Sequence, residues 1–125
     1  MVLLGIESER IEQLQNMNKR LNAKMGIDSY EIVFNKIHKY GIAVLGAFIY
    51  GLETDTPETM EARTSYINNA AIDSVQATVL TPLPGTRLFN RLQEDGKIRF
   101  NNFPQDWQHY HFGEIVWNHD LMNQE

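Results

Sequence analysis

The chain has 125 residues, 42% apolar and 22% charged, with a net charge of −5; this is the profile of one ordinary globular domain and excludes disorder. No block of Lys or Arg is present that could neutralise a phosphate backbone, so nucleic acid is not an expected partner. Cysteine is absent, the opening Met1–Gly5 lacks a basic leader, and the longest apolar stretch, Gly41 to Gly51, is far shorter than the roughly twenty residues of a membrane helix; a cytoplasmic protein without disulfides is expected.

Val2-Leu3-Leu4-Gly5-Ile6 is a continuous apolar run, predicted to be a strand buried on both faces. From Ser8 the pattern turns helical: Ser8 or Glu9 can cap a helix whose apolar positions are Ile11, Leu14, Met17 and Leu21. Asp28 or Ser29 opens a second helix with Ile32, Val33, Ile37 and Tyr40 on one face, and Gly41 stands where a helix end favours glycine. Ile42–Tyr50 is predicted to be a parallel strand, apolar throughout and bounded by glycines.

After the loop Gly51–Thr56, Thr56 suits an N-cap and Pro57 the first helical position, where its missing donor costs nothing; this helix runs to about Asn69. Ser74–Leu80 is β-prone, and the Thr81-Pro82-Leu83-Pro84-Gly85-Thr86 segment that follows can only be a loop. A last helix spans Thr86 to about Glu94 and ends at Gly96. The aromatic tail after Phe100 could hold a short strand at Glu114–Trp117. Strands alternating with helices imply an α/β fold with three parallel strands joined by right-handed crossovers.

In such sheets ligands bind at the carboxyl ends of the strands. Three loops qualify here: Glu7-Ser8, Gly51–Thr56 and Thr81–Thr86. Each also has a purely structural explanation, with Ser8 and Thr56 as caps, Gly51 and Gly85 as turn residues, and Pro82 and Pro84 as rigid loop elements. Taken together, and in order, the segments Val2-Leu3-Leu4-Gly5-Ile6-Glu7-Ser8, Met17-Asn18-Lys19, Gly41-Ile42-Ala43-Val44, Phe48-Ile49-Tyr50-Gly51-Leu52, Asp55-Thr56-Pro57-Glu58 and Thr81–Thr86 resemble the radical S-adenosylmethionine (SAM) superfamily. The nearest resemblance is to the group that carries a cobalamin-binding domain, and Asp106-Trp107 with the aromatic segment after it resembles that group's extension beyond the barrel.

The resemblance implies a parallel β-α-β-α-β half of a (β/α)6, TIM-like barrel over residues 1–100, with an irregular aromatic extension over 101–125. The three strands would be the fourth to sixth of the family barrel. The loop Cys-x-x-x-Cys-x-x-Cys that holds the family's [4Fe–4S] cluster, which reduces SAM to a 5′-deoxyadenosyl radical, follows the barrel's first strand and has no counterpart here. The intact family enzyme would use SAM and the cluster, with cobalamin in the group most resembled; this chain alone is expected to hold none of them as a resident cofactor, weak residual adenosyl binding being the most it would show.

By position, the resemblance gives Glu7 and Ser8 to the ribose or amino-acid part of SAM. It gives Gly46, Phe48, Ile49 and Gly51 to the strand along which adenine lies, and Thr81, Pro82 and Gly85 to a loop near adenine and substrate. These are binding roles, and no residue is assigned a catalytic one. Glu9 departs from the family, which often has a small residue after Glu-Ser, and Asn118-His119 stands where the family often has Pro.

Other chemistry is weaker. His38, His109, His111 and His119 lack an identifiable third ligand for a metal, and His38 lies inside a helix pattern. Glu53 and Asp55 could be paired carboxylates but suit a solvated loop better. Ser8 has no His or Lys in local register to activate it. The aromatics Phe103, Trp107, Tyr110, Phe112 and Trp117 lie in surroundings that are not basic, which favours covering a sheet face or interface over stacking on bases. Two functional readings therefore stand: a partial radical SAM domain, inactive alone and partnered by an N-terminal half-barrel, or a non-catalytic module that self-associates to cover its open sheet.

Overall fold

The computed structural model describes residues 1–122. Its elements in chain order are β1 (Val2–Glu7), α1 (Ile11–Asn16), α2 (Arg20–Met25), α3 (Tyr30–His38), β2 (Val44–Tyr50), α4 (Pro57–Asn69), β3 (Ser74–Val79) and α5 (Arg87–Glu94), with 3-10 turns at Ile27–Ser29 and Gln105–His109. The sheet order is β1-β2-β3. β1 runs parallel to β2, pairing Val2 with Val44 and Gly5 with Ala47 before a bulge displaces the register at Glu7. Asp73 N–H donates to Val44 O at one end of β2 and Leu80 N–H to Tyr50 O at the other, so β3 runs the same way. The α/β class and the parallel sheet agree with the alternation in the sequence.

The chain divides into two compact units, Met1–Ile49 with Pro57–Ala77, and Tyr50–Thr56 with Thr78–Glu125. In the first unit, Val44, Gly46 and Phe48 are buried while Leu45, Ala47 and Ile49 are half-exposed, so β2 has a covered and an open face. β1 follows the same alternation: Ile6 is 2% exposed and Leu3 57%. The apolar run had suggested burial on both faces; the helices cover only one. Tyr30 and Phe34 stack on each other on the buried side of α3. Ile32 and Tyr40, expected on that side, are 70% and 76% exposed, because Tyr30 and Phe34 define the buried face of α3 and Tyr40 lies beyond its end at His38.

The single helix expected from Ile11 to Leu21 is two. Lys19 N–H bonds to Leu14 O and Asn18 N–H to Gln15 O, which closes α1 with a Schellman pattern around Asn18 at φ 58°. Asparagine tolerates that left-handed position, and Leu21, beyond the break, is 70% exposed. The helix start also differs. Arg10 is the N-cap residue, and Ser8 Oγ accepts the Arg10 N–H one step outside the helix.

In the second unit, α5 begins as expected at Thr86, whose hydroxyl accepts Phe89 N–H, and closes around Gly96 at φ 68°. Its buried face, Phe89 and Leu92, packs with Tyr110, Val116 and Trp117. The aromatic tail is thus the core of this unit. It forms no strand at Glu114–Trp117; one isolated antiparallel bridge joins Ile98 to Trp117. No helix among the described residues is long and apolar enough to cross a membrane.

Candidate functional site

In the first unit, the carboxyl end of β1 is where polar side chains concentrate. Glu7 adopts φ 66°. For a residue with a Cβ this left-handed conformation costs about 1–2 kcal/mol and persists only where its surroundings fix it. Lys19, just past the α1 closure, reaches back to place Nζ 2.8 Å from Glu7 Oε1, and that carboxylate's side chain remains 15% exposed. Asn22 Nδ2 donates to Gly5 O at 2.8 Å and to Tyr30 Oη at 3.2 Å, fixing the backbone before the bulge. Burial raises the Tyr30 phenol pKa, offset by the Asn22 hydrogen bond and reinforced by the Glu7 charge.

The next two residues turn the other way. Ser8 is fully buried; its hydroxyl donates to Gln13 Oε1 and accepts Arg10 N–H at 3.0 Å. Glu9 is paired with Arg63 of α4, Nε to Oε2 at 2.8 Å. Arg63 is itself 0% exposed. Its Nη1 donates to Ile49 O at 2.7 Å and its Nη2 to Gln13 Oε1 at 2.6 Å, with Ser8 Oγ at 3.5 Å. A buried guanidinium would be prohibitively costly without such partners; here a carboxylate and several oxygens of three different segments meet its fork. Glu9, the departure from the family pattern, therefore has its charge compensated inside the protein.

Gly46 and Phe48 lie on the covered face of β2. A Cβ on Gly46 would meet Ile6 Cδ1 and Phe48 Cε2 at 3.1 Å and Ile72 Cδ1 at 3.2 Å, so the glycine makes room for neighbouring side chains. Phe48 is 1% exposed and meets Tyr66 edge-on. Ile49 lies on the open face, with its carbonyl held by Arg63. Beside Phe48, the Tyr66 hydroxyl is buried with no hydrogen-bond partner among the described residues, and burial, with the charge of Glu31, pushes its pKa to about 12.

In the second unit, Gly51 at φ 73° opens a tight turn in which Asp55 N–H bonds to Leu52 O and Asp55 Oδ2 accepts Leu52 N–H at 3.0 Å. Asp55 is fully buried, which corrects the solvated-loop expectation; its carboxylate is a structural acceptor. Glu53 is exposed and paired with Arg91 at 2.7 Å, so the two carboxylates do not form an acid–base pair. Thr81 and Pro82 are buried, and Thr81 Oγ1 turns back to donate to Val79 O. Gly85, at φ 86°, has open space around it.

The histidines also find partners. His38 Nε2 lies 2.7 Å from Asp73 Oδ2. His109 and His111 both face Glu114, at 3.0 and 3.6 Å. His119 Nδ1 accepts Leu121 N–H, which leaves Nε2 to carry the proton donated to Leu52 O at 2.8 Å. No group of three His, Cys, Asp or Glu among the described residues could hold a metal ion.

Sequence reading missed Arg63 and Gln13. The available signal was spacing: Met60, Arg63 and Ile67 share one helical face, so the arginine falls where an apolar residue would be expected.

No protein-family model matches the chain. It is 35% identical over 107 residues to the bacteriochlorophyllide d C-12(1)-methyltransferase of Chlorobaculum tepidum, covering 86% of the chain and 22% of that protein. It is 37% identical over 97 residues to the hopanoid C-2 methylase of Rhodopseudomonas palustris, covering 78% and 18%. A match to the bacteriochlorophyllide d C-8(2)-methyltransferase of Chlorobaculum tepidum, 26% identical, spans 95% of the chain and 25% of that relative. The chain thus spans about a fifth to a quarter of the relatives it matches.

Proposed function

We propose that this chain, which belongs to the cobalamin-binding group of the radical SAM superfamily, is the C-terminal part of the barrel of a methyl-transferring enzyme and contributes part of the surface that holds SAM. The observation that carries this reading is the end of β1, where Glu7 is kept in a strained conformation with a partly exposed, lysine-paired carboxylate, in a region that the 120-residue match to a methyltransferase includes. A carboxylate held this way can accept hydrogen bonds from ribose hydroxyls or attract the SAM ammonium or sulfonium. The Lys19 ammonium, 2.8 Å away, holds it in place. The open face beside Ile49 offers an apolar surface to a base, whereas Gly46 and Phe48 support that strand from the covered side. In the second unit, Gly51 and the loop Thr81-Pro82 to Gly85 keep the positions that the resemblance gives to adenine and substrate, with Gly51 and Gly85 at positive φ and Thr81 and Pro82 packed inside that unit. The extension after residue 100 serves there as packing for α5.

The residues present do not fit the family's [4Fe–4S] cluster, since the chain has no cysteine. The cluster would supply the electron for SAM cleavage from another part of an intact enzyme, and this chain alone is expected to generate no radical. Incubation with iron, sulfide, a strong reductant and SAM tests this: no 5′-deoxyadenosine should form. Iron-dependent visible absorbance together with SAM cleavage would overturn it.

A second reading, a non-catalytic module that self-associates, is favoured by the open face of the first unit, where Leu3 is 57% exposed beside its register partner Leu45.

A further inference from the structure

Arg63 does more than neutralise Glu9. Its side chain bonds to the segment after β1 at Ser8 and Glu9, to α1 at Gln13 and to the end of β2 at Ile49. Those two strand ends carry Glu7 and Ile49, the first-unit residues left facing outward once Ser8, Gly46 and Phe48 are buried. The left-handed conformation of Glu7 needs restraint on both sides. Lys19 restrains its carboxylate, and Arg63 restrains the two residues that follow it.

We infer that Arg63 is the positioning residue of the SAM surface, turning Ser8 and Glu9 inward so that Glu7 alone of the Glu7-Ser8-Glu9 segment is presented to ligand beside Ile49. This rests on the proposed SAM-binding role, and it refines that role by assigning the polar contact at β1 to Glu7 and a supporting role to Ser8. The planar fork is essential to it. Nε, Nη1 and Nη2 point in three fixed directions at Glu9, Ile49 and Gln13, which one ammonium cannot reproduce.

Two variants separate positioning from mere stability. Arg63→Lys retains a charge for Glu9 without the fork, and the double variant Arg63→Met/Glu9→Met removes both charges and leaves neither buried alone. Each would be tested by calorimetric titration with SAM, by thermal unfolding, and by amide hydrogen exchange at residues 7–10. The inference expects a folded double variant with SAM affinity reduced at least about tenfold, the scale of one charge-assisted hydrogen bond, and with exchange at residues 7–10 faster while β2 stays protected. Arg63→Lys should behave alike. Folded variants that bind SAM as the parent does would overturn the inference and leave the SAM reading standing. Should the parent itself bind no SAM, the SAM reading fails, and hydrogen exchange decides the rest: selective loss of protection at residues 7–10 supports positioning by Arg63, and unchanged protection refutes it.

Discussion

At the scale of single residues, buried polar groups decide the outcome, and they do so unequally. Arg63 has matched partners, so truncating it alone to Met strands the Glu9 carboxylate and should cost about 3–5 kcal/mol in denaturant unfolding. The Tyr66 hydroxyl is the opposite case, buried without a partner, and Tyr66→Phe should leave stability unchanged or raise it by about 1 kcal/mol; a clear loss would show that the hydroxyl is bonded. Asp73 accepts Val44 N–H and His38 Nε2, which hold its carboxyl pKa below the ordinary range. A lowered folded pKa contributes stability above the ordinary carboxylate range that is lost as pH falls through the folded value. The difference in melting temperature between parent and Asp73→Ala should therefore be present at about pH 5 and shrink below about pH 4. A gap that does not shrink would contradict this. Gly41 and Gly96 could be read from the sequence because a left-handed helix terminus asks for glycine. Arg63 was less legible: its spacing with Met60 and Ile67 marks its helical face, but its partners at residues 9, 13 and 49 are distant in sequence.

At the scale of elements, the sequence was most informative where local chemistry is self-sufficient. α5 has its Thr86 cap and its Gly96 terminus, and Thr86→Ala should cost about 1 kcal/mol by loss of the acceptor for Phe89 N–H. α4 begins at Pro57, as the fixed proline φ suggests. The helix after β1 was less legible, since Ile11, Leu14, Met17 and Leu21 keep helical spacing across a break made by the backbone of Asn18. Apolar strands were ambiguous for a related reason. β1 and β2 read alike on both faces, and only their packing reveals which face is covered.

At the scale of the molecule, alternation of elements was enough to give a parallel sheet, and the order of short motifs was enough to give the family. The exposure of Leu3 and the half-exposure of Leu45 and Ala47 could not be read, because it depends on what the helices leave uncovered. An open apolar sheet face favours association, so light scattering of the isolated chain should report a dimer or larger species at micromolar concentration; a strict, stable monomer would exclude self-association as its cover. The central claim, that the ends of β1 and β2 hold SAM, is tested most directly by following backbone amide resonances during titration with SAM. The account expects saturable shifts at Glu7 and Ile49 that Glu7→Gln weakens. Shifts absent from both positions while SAM is bound elsewhere, or absent altogether, would contradict it.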